Sequence, residues 1–150
     1  MKVFLEMSLN EISFFKKLPK HIKNEFLFCM KPKTYEKGSC LYKRDDNSTE
    51  MYCIQSGMIE IFHYLDKKEQ YEFVIERLYR GSIINHNSFL MNDELDTDAR
   101  CATNVTVYYL DINTFKNLRS KHIALDQIMD THEAWLVGGN RKEPAIDYII

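Results

Sequence analysis

The stretch Met51-Tyr52-Cys53-Ile54-Gln55-Ser56-Gly57-Met58-Ile59-Glu60-Ile61 decides the fold. Tyr52 and Ile54 occupy alternate positions, as do Ile59 and Ile61, and Ser56-Gly57 separates the two pairs. Side chains of a strand alternate between faces, so each half predicts a half-buried antiparallel strand with a turn between them. Outward from this hairpin, runs rich in Tyr, Ile, Val and Phe extend from Lys31 to Asp111. They are punctuated by Lys37-Gly38-Ser39, Asp45-Asp46-Asn47-Ser48, Asp66-Lys67-Lys68 and Arg80-Gly81-Ser82. Tyr71 to Leu78 is a long strand candidate after a hairpin loop. Several short strands without a helix between them predict a small antiparallel barrel or jelly roll.

On either side of that zone the period becomes helical. Ser8-Leu9-Asn10-Glu11 has capping-box spacing, Ile12, Phe15 and Leu18 recur until Pro19, and Ile22, Phe26 and Cys29 form a stripe on a short helix from Lys20. After the strands, Asp111 or Asn113 can cap a turn carrying Phe115 and Leu118. A longer helix follows with Leu125, Ile128, Met129, His132, Trp135 and Leu136 on one stripe, stopped by Gly138-Gly139. The fold class expected is mixed α/β of the α+β kind. N-terminal helices take about residues 8–30, an antiparallel β-roll of about eight strands 31–111, two C-terminal helices 112–138 and a tail 139–150. The tail ends on apolar residues with no closing polar segment, which suggests a single domain cut from a longer polypeptide.

Composition agrees with a folded domain. Of 150 residues, 45% are hydrophobic, 13% aromatic and 28% charged; a chain of this size buries roughly 70% of its unfolded surface. Twenty basic against 22 acidic residues leave a formal net charge of −2, which gives no reason to expect nucleic acid as a partner. No run approaches the ~20 apolar residues of a membrane span, and Glu6 interrupts any secretory signal at the start. The four cysteines, at 29, 40, 53 and 101, form no C-x-x-C pair, so reduced and mostly buried thiols in a cytoplasmic setting are expected. That setting includes the cytosolic part of a membrane protein.

The order of these signals carries a resemblance. Phe14-Phe15-x-x-Leu18-Pro19, Tyr35-x-Lys37-Gly38, Met51-Tyr52-x-Ile54-x-x-Gly57-x-Ile59-x-Ile61 and Leu78-x-x-Gly81-Ser82 follow one another along the chain. Together they resemble the cyclic-nucleotide-binding domain of cAMP-dependent kinase regulatory subunits, cyclic-nucleotide-gated channels and catabolite activators, over about residues 9 to 137. The resemblance implies a phosphate-binding cassette after the Gly81-Ser82 turn. In that family Phe-Gly-Glu, a short helix and Arg-x-Ala enclose a cyclic phosphate and its ribose. One arginine and the amides of a helix start suit the phosphate's charge, and a carboxylate suits the ribose hydroxyl.

Half of the cassette is present. Arg100-Cys101-Ala102-Thr103 matches the Arg-x-Ala half, so the resemblance assigns Arg100, Cys101, Ala102 and Ser88 to the phosphate. Cys101 stands where a small residue or hydroxyl bears on the choice between cAMP and cGMP, and a thiol is a weak donor for the latter. Where Phe-Gly-Glu is expected stand Asn85 and His86, followed by Asn87, Ser88 and Phe89. Asn85 can still adopt positive φ. His86 can accept one hydrogen bond when neutral and none when protonated, so the ribose loses a charged partner, at about 1.5–3 kcal/mol. Asn85, His86, Asn87 and Phe89 are therefore the candidate ribose and turn residues, with Trp135 as the candidate lid over the base. Arg100 has a structural alternative, ion pairing with the acidic loop Asp93, Glu94, Asp96 and Asp98.

Catalysis and metal binding find no constellation. The histidines at 21, 63, 86, 122 and 132 are scattered without a His-x-His pair, and no Ser/His/Asp or Cys/His arrangement surrounds a strand-turn-helix elbow. A non-enzymatic module is expected, with no cofactor and with cAMP or cGMP as the candidate ligand. Its role would be regulatory, inside a larger signalling or transport protein, with nucleotide binding weak or lost. The alternative is a working sensor whose last helix closes over bound nucleotide and drives a fused channel, exchanger or kinase.

Overall fold

The computed structural model describes residues 2–91 and 93–137, with the backbone alone at Met91 and residues 134–137. The expected helix stop at Gly138-Gly139 and the tail 139–150 lie outside the described residues. In chain order the elements are α1 (Val3–Leu9), α2 (Ser13–Lys16), α3 (Lys20–Cys29), β1 (Lys31–Tyr35), β2 (Cys40–Tyr42), β3 (Glu50–Ser56), β4 (Ile59–Tyr64), β5 (Glu72–Leu78), β6 (Ile83–Ile84), α4 (His86–Met91), β7 (Asp98–Cys101), β8 (Val105–Asp111), α5 (Ile112–Lys121) and α6 (Ile123–Val137). The fold is α+β, with two four-stranded antiparallel sheets. Its described residues divide into two compact units, 32–109 and 2–31 with 110–137.

The first unit is the β-roll. One sheet has the order β1-β8-β3-β6 and the other β2-β7-β4-β5. Their apolar faces meet in one cluster: Tyr52, Ile54, Ile84, Val105 and Val107 from the first, Leu41, Ile59, Ile61, Ala99 and Cys101 from the second. The alternation around Ser56-Gly57 thus marks the core face of β3 and β4. Strand β3 goes further than half burial, because Met51 to Ile54 are all buried and α4 packs against it. Gly57, at φ +93°, joins β3 to β4 beside the backbone before β8; a Cβ there would lie 2.3 Å from the Asn104 carbonyl oxygen. Only glycine fits.

The second unit is helical. Phe26 of α3 is its aromatic hub, 5.4 Å edge-on from Phe15, 6.1 Å from Phe14 and 6.4 Å from Phe115, ring centre to ring centre. His132, on the expected stripe of α6, is buried against Phe14. Asp111 caps α5 as expected: its carboxylate accepts from the Thr114 amide and hydroxyl, both at 2.9 Å. The N-terminal capping box does not form. Helix α1 starts at Val3, ahead of the expected boundary, and is already ending at Leu9, where Ser8 Oγ donates back to the Phe4 carbonyl instead. The α5–α6 region adds an ionic clamp, Arg119 on Asp126 at 2.5 Å, on Asp130 at 2.8 Å and on Glu133.

None of the four cysteines is in a disulfide. Cys53 and Cys101 are buried, Cys29 is half-buried and Cys40 is exposed, so burial covers two of the four thiols.

Candidate functional site

The turn after β6 is where the site should begin. Gly81-Ser82 precedes it, Ile83 and Ile84 pair with Cys53 and Tyr52 of β3, and Asn85 then takes φ +53°. This left-handed conformation is what a glycine would supply, and asparagine tolerates it. The Asn85 side chain is used internally: Nδ2 donates to the Glu50 carbonyl at 2.9 Å and to Ser48 Oγ at 3.3 Å. Its Oδ1 is buried without a hydrogen-bond partner among the described residues. Helix α4 follows, with the Phe89 amide donating to the Asn85 carbonyl and the Asp93 amide to the Ser88 carbonyl. Phe89 is fully buried, while His86, Asn87 and Ser88 are half-buried.

A cavity of about 150 Å³ opens beside Asn85. Its lining is Leu41, Tyr42, Asp46, Asn47, Thr49, Glu50, Tyr52, Asn85 and Leu95. Among the described residues no lysine or arginine lines it, and two carboxylates do. Burial, then the Glu50 carboxylate accepting its hydroxyl at 2.8 Å, pushes the Tyr52 phenol far above its ordinary pKa; burial raises Tyr42 in the same direction. Both rings stay protonated, so the charges around this space are negative. Sequence reasoning misses Asp46 and Glu50, because each is one carboxylate among many until the fold brings β3 and the preceding loop to the Asn85 turn. A roomier recess of about 410 Å³ beside Lys43, Arg44 and Lys67 also carries Asp45, Asp66, Glu69 and Asp98.

Arg100 lies elsewhere. It sits on β7 opposite Glu60 of β4 and Cys40 of β2, on the face opposite to Ala99 and Cys101, which point into the core. Its guanidinium donates to Glu72 at 2.6 Å and to Glu60 at 3.2 Å, and stacks 4.5 Å above the Phe62 ring. The Glu72 hydrogen bond, outweighing partial burial, raises its proton affinity, so the charge is permanent and committed. The sequence expectation of an ion pair is thus met by different partners: Glu60 and Glu72 across the sheet, not the loop Asp93 to Asp98. Strand periodicity is the cause, since alternation along β7 sends Arg100 and its neighbours to opposite faces.

The remaining candidates separate accordingly. Cys101 is 1% exposed and belongs to the core cluster, and burial raises its thiol pKa. Ala102 follows the strand, its amide donating to the Met58 carbonyl. The structure brings Asn85 to the cavity and leaves Arg100, Cys101, Ala102, His86, Asn87, Ser88 and Phe89 out of its lining. The residue that the α4–β7 segment does contribute is Leu95, five positions before Arg100 and 5% exposed. Trp135 is on α6, with its side chain outside the described residues. Among the described residues no group of three or more His, Cys, Asp or Glu side chains is placed to hold a metal ion.

Comparison with known proteins follows the same lines. Residues 32–122 match the family model of the cyclic nucleotide-binding domain. The regulatory domain of a Toxoplasma gondii cAMP-dependent kinase, solved with cAMP, superposes with a TM-score of 0.67 at 22% identity, over 77% of this chain and 43% of that one. The N-terminal domain of a Streptomyces coelicolor transcriptional regulator gives 0.73 at 14% identity, over 88% and 91%. Thermus thermophilus catabolite activator protein gives 0.64 at 16% identity, over 85% and 59%. The chain therefore spans less than half of the kinase regulatory chain it resembles. Among curated proteins no sequence match is found.

Proposed function

This chain belongs to the cyclic nucleotide-binding domain family, and on that premise we propose that it is a regulatory module in which binding of cAMP and cGMP is weak or lost. The observation that supports this is the cavity at the Asn85 turn. At about 150 Å³ it is well under the ~300 Å³ at which small-molecule pockets begin, and it offers an anion Asp46 and Glu50 with no cation. A cyclic phosphodiester there would meet like charge, which opposes binding even though Asp46, Asn47 and Thr49 are exposed to screening solvent. The guanidinium that the motif supplies is already held by two carboxylates and an aromatic ring. To reach a phosphate it would have to abandon Glu60 and Glu72, leaving both without its charge.

A domain that keeps the roll while its ligand site degenerates acts through its surfaces, as a docking or spacing element within a larger signalling or transport protein. Such a host would place it in the cytoplasm, where reduced thiols persist. Among the described residues no helix is long and apolar enough to cross a membrane.

Thermal unfolding with and without nucleotide tests this. A ligand at a hundred times its dissociation constant stabilises the native state by about 2.7 kcal/mol, which moves the midpoint by several degrees. No movement is expected with either nucleotide at millimolar concentration. A shift of several degrees would establish the working sensor instead.

A further inference from the structure

Of the four sheet edges among the described residues, three are blunted. Strand β1 carries Lys31, Pro32 and Lys33, β2 has three residues, and β6 has two. Lysine, proline and brevity all discourage another strand from pairing. The fourth edge, β5, is seven residues long, Glu72-Phe73-Val74-Ile75-Glu76-Arg77-Leu78, without lysine or proline. Among the described residues it pairs with β4 alone. Phe73 is 56% exposed and Ile75 45%, an apolar display that a free-standing edge rarely carries.

The charges on that strand are arranged for a particular partner. A bulge interrupts the β4–β5 ladder: Ile61 faces Glu76 and Phe62 faces Val74, so Ile75 is the extra residue. The bulge reverses the alternation, and Glu72 and Arg77, five apart, therefore share a face. Their ion pairs show it, since Glu72 meets Arg100 and Arg77 meets Glu60 on the outer side of the sheet. Bulges often protect an edge by twisting it; this one also creates self-complementarity. If two β5 strands run antiparallel about a two-fold axis between Val74 and Ile75, each Glu72 lies opposite the other copy's Arg77. Phe73 then lies opposite Glu76, whose aliphatic stem it can cover. The intrachain row Arg77–Glu60–Arg100–Glu72 would continue into the second copy with the sign of charge still alternating. An isologous interface requires this kind of self-matching.

We infer that β5 is the pairing edge of a homodimer, in which a second copy of this chain extends the β2-β7-β4-β5 sheet across the two-fold axis. Sedimentation equilibrium of the full chain, loaded up to millimolar, reads it directly, with circular dichroism to confirm that each variant is folded. The parent is expected to show a concentration-dependent dimer. Glu72→Arg and Arg77→Glu alone each place like charges opposite one another twice, and each should weaken self-association about ten-fold. In an equimolar mixture of the two variants, one copy of each brings opposite charges together at both crossings, so the mixture should recover the dimer as a heterodimer. A parent that stays monomeric at every concentration overturns the inference, as does a dimer indifferent to both reversals or a mixture that stays as monomeric as its components.

Discussion

Arg100 matches the Arg-x-Ala motif, and its guanidinium is held by carboxylates of its own sheet. Its letter sequence with Cys101 and Ala102 is legible, but which face of β7 it occupies depends on register with β4, and register is fixed by Ile59 and Ile61 turning inward. With Glu60, Glu72 and the Phe62 ring as partners, it ties β7 to β4 and β5. Arg100→Ala should therefore cost about 1 kcal/mol in urea unfolding, in keeping with a partly exposed ion network, and leave the response to nucleotide as it was. A stability unchanged within error would remove the structural role. Gly57 is the opposite case, a residue whose importance the sequence already announces. Gly57→Ala meets the Asn104 carbonyl and a positive φ together, so a loss of more than about 2 kcal/mol is expected, and a near-neutral result would mean that the β3–β4 turn is not as described.

Strands and helices are legible to different depths. Alternation marks the core face of β3 and β4, yet nothing in residues 51–54 foretells that the second face of β3 is also buried, because the cover comes from α4, far along the chain. At the N-terminus the capping-box letters are present but the helix they would start is instead one that ends there, since Ser8 satisfies its hydroxyl within α1. The cap at Asp111 is legible because its partner, Thr114, is local. Although burial alone would raise it, the Asp111 carboxyl is held below the usual carboxylate range by the Thr114 amide and hydroxyl. Asp111→Ala is expected to cost about 1 kcal/mol, read as a lower midpoint in urea. In α3, Glu25 accepts from Lys121 at 2.6 Å and lies 2.6 Å from His122 Nε2, and the Lys121 hydrogen bond above all depresses its pKa. A carboxylate depressed by folding adds stability above its unfolded pKa and loses it as the pH falls through the folded value. Acid titration of the thermal midpoint should then decline through and below the ordinary carboxylate range, and Glu25→Gln should flatten part of that decline. An acid slope identical to the parent's would deny the pair any role.

For the molecule as a whole, the order helices, antiparallel roll, helices is legible from glycine spacing and apolar period, and residues 32–122 bear it out as a cyclic nucleotide-binding domain. The candidate site is legible only in part. Asn85 stands out because a turn position announces itself by what it replaces, whereas Asp46, Glu50 and Leu95 come together through the folding of three separated segments. Asp46 and Glu50 make the described lining acidic, and the proposed reading is that this acidity disfavours a phosphodiester. Isothermal titration calorimetry of the full chain with cAMP and with cGMP is the most direct measurement of that consequence. No saturable heat at sub-millimolar protein and nucleotide is the expected outcome, and a micromolar isotherm with either nucleotide would contradict it.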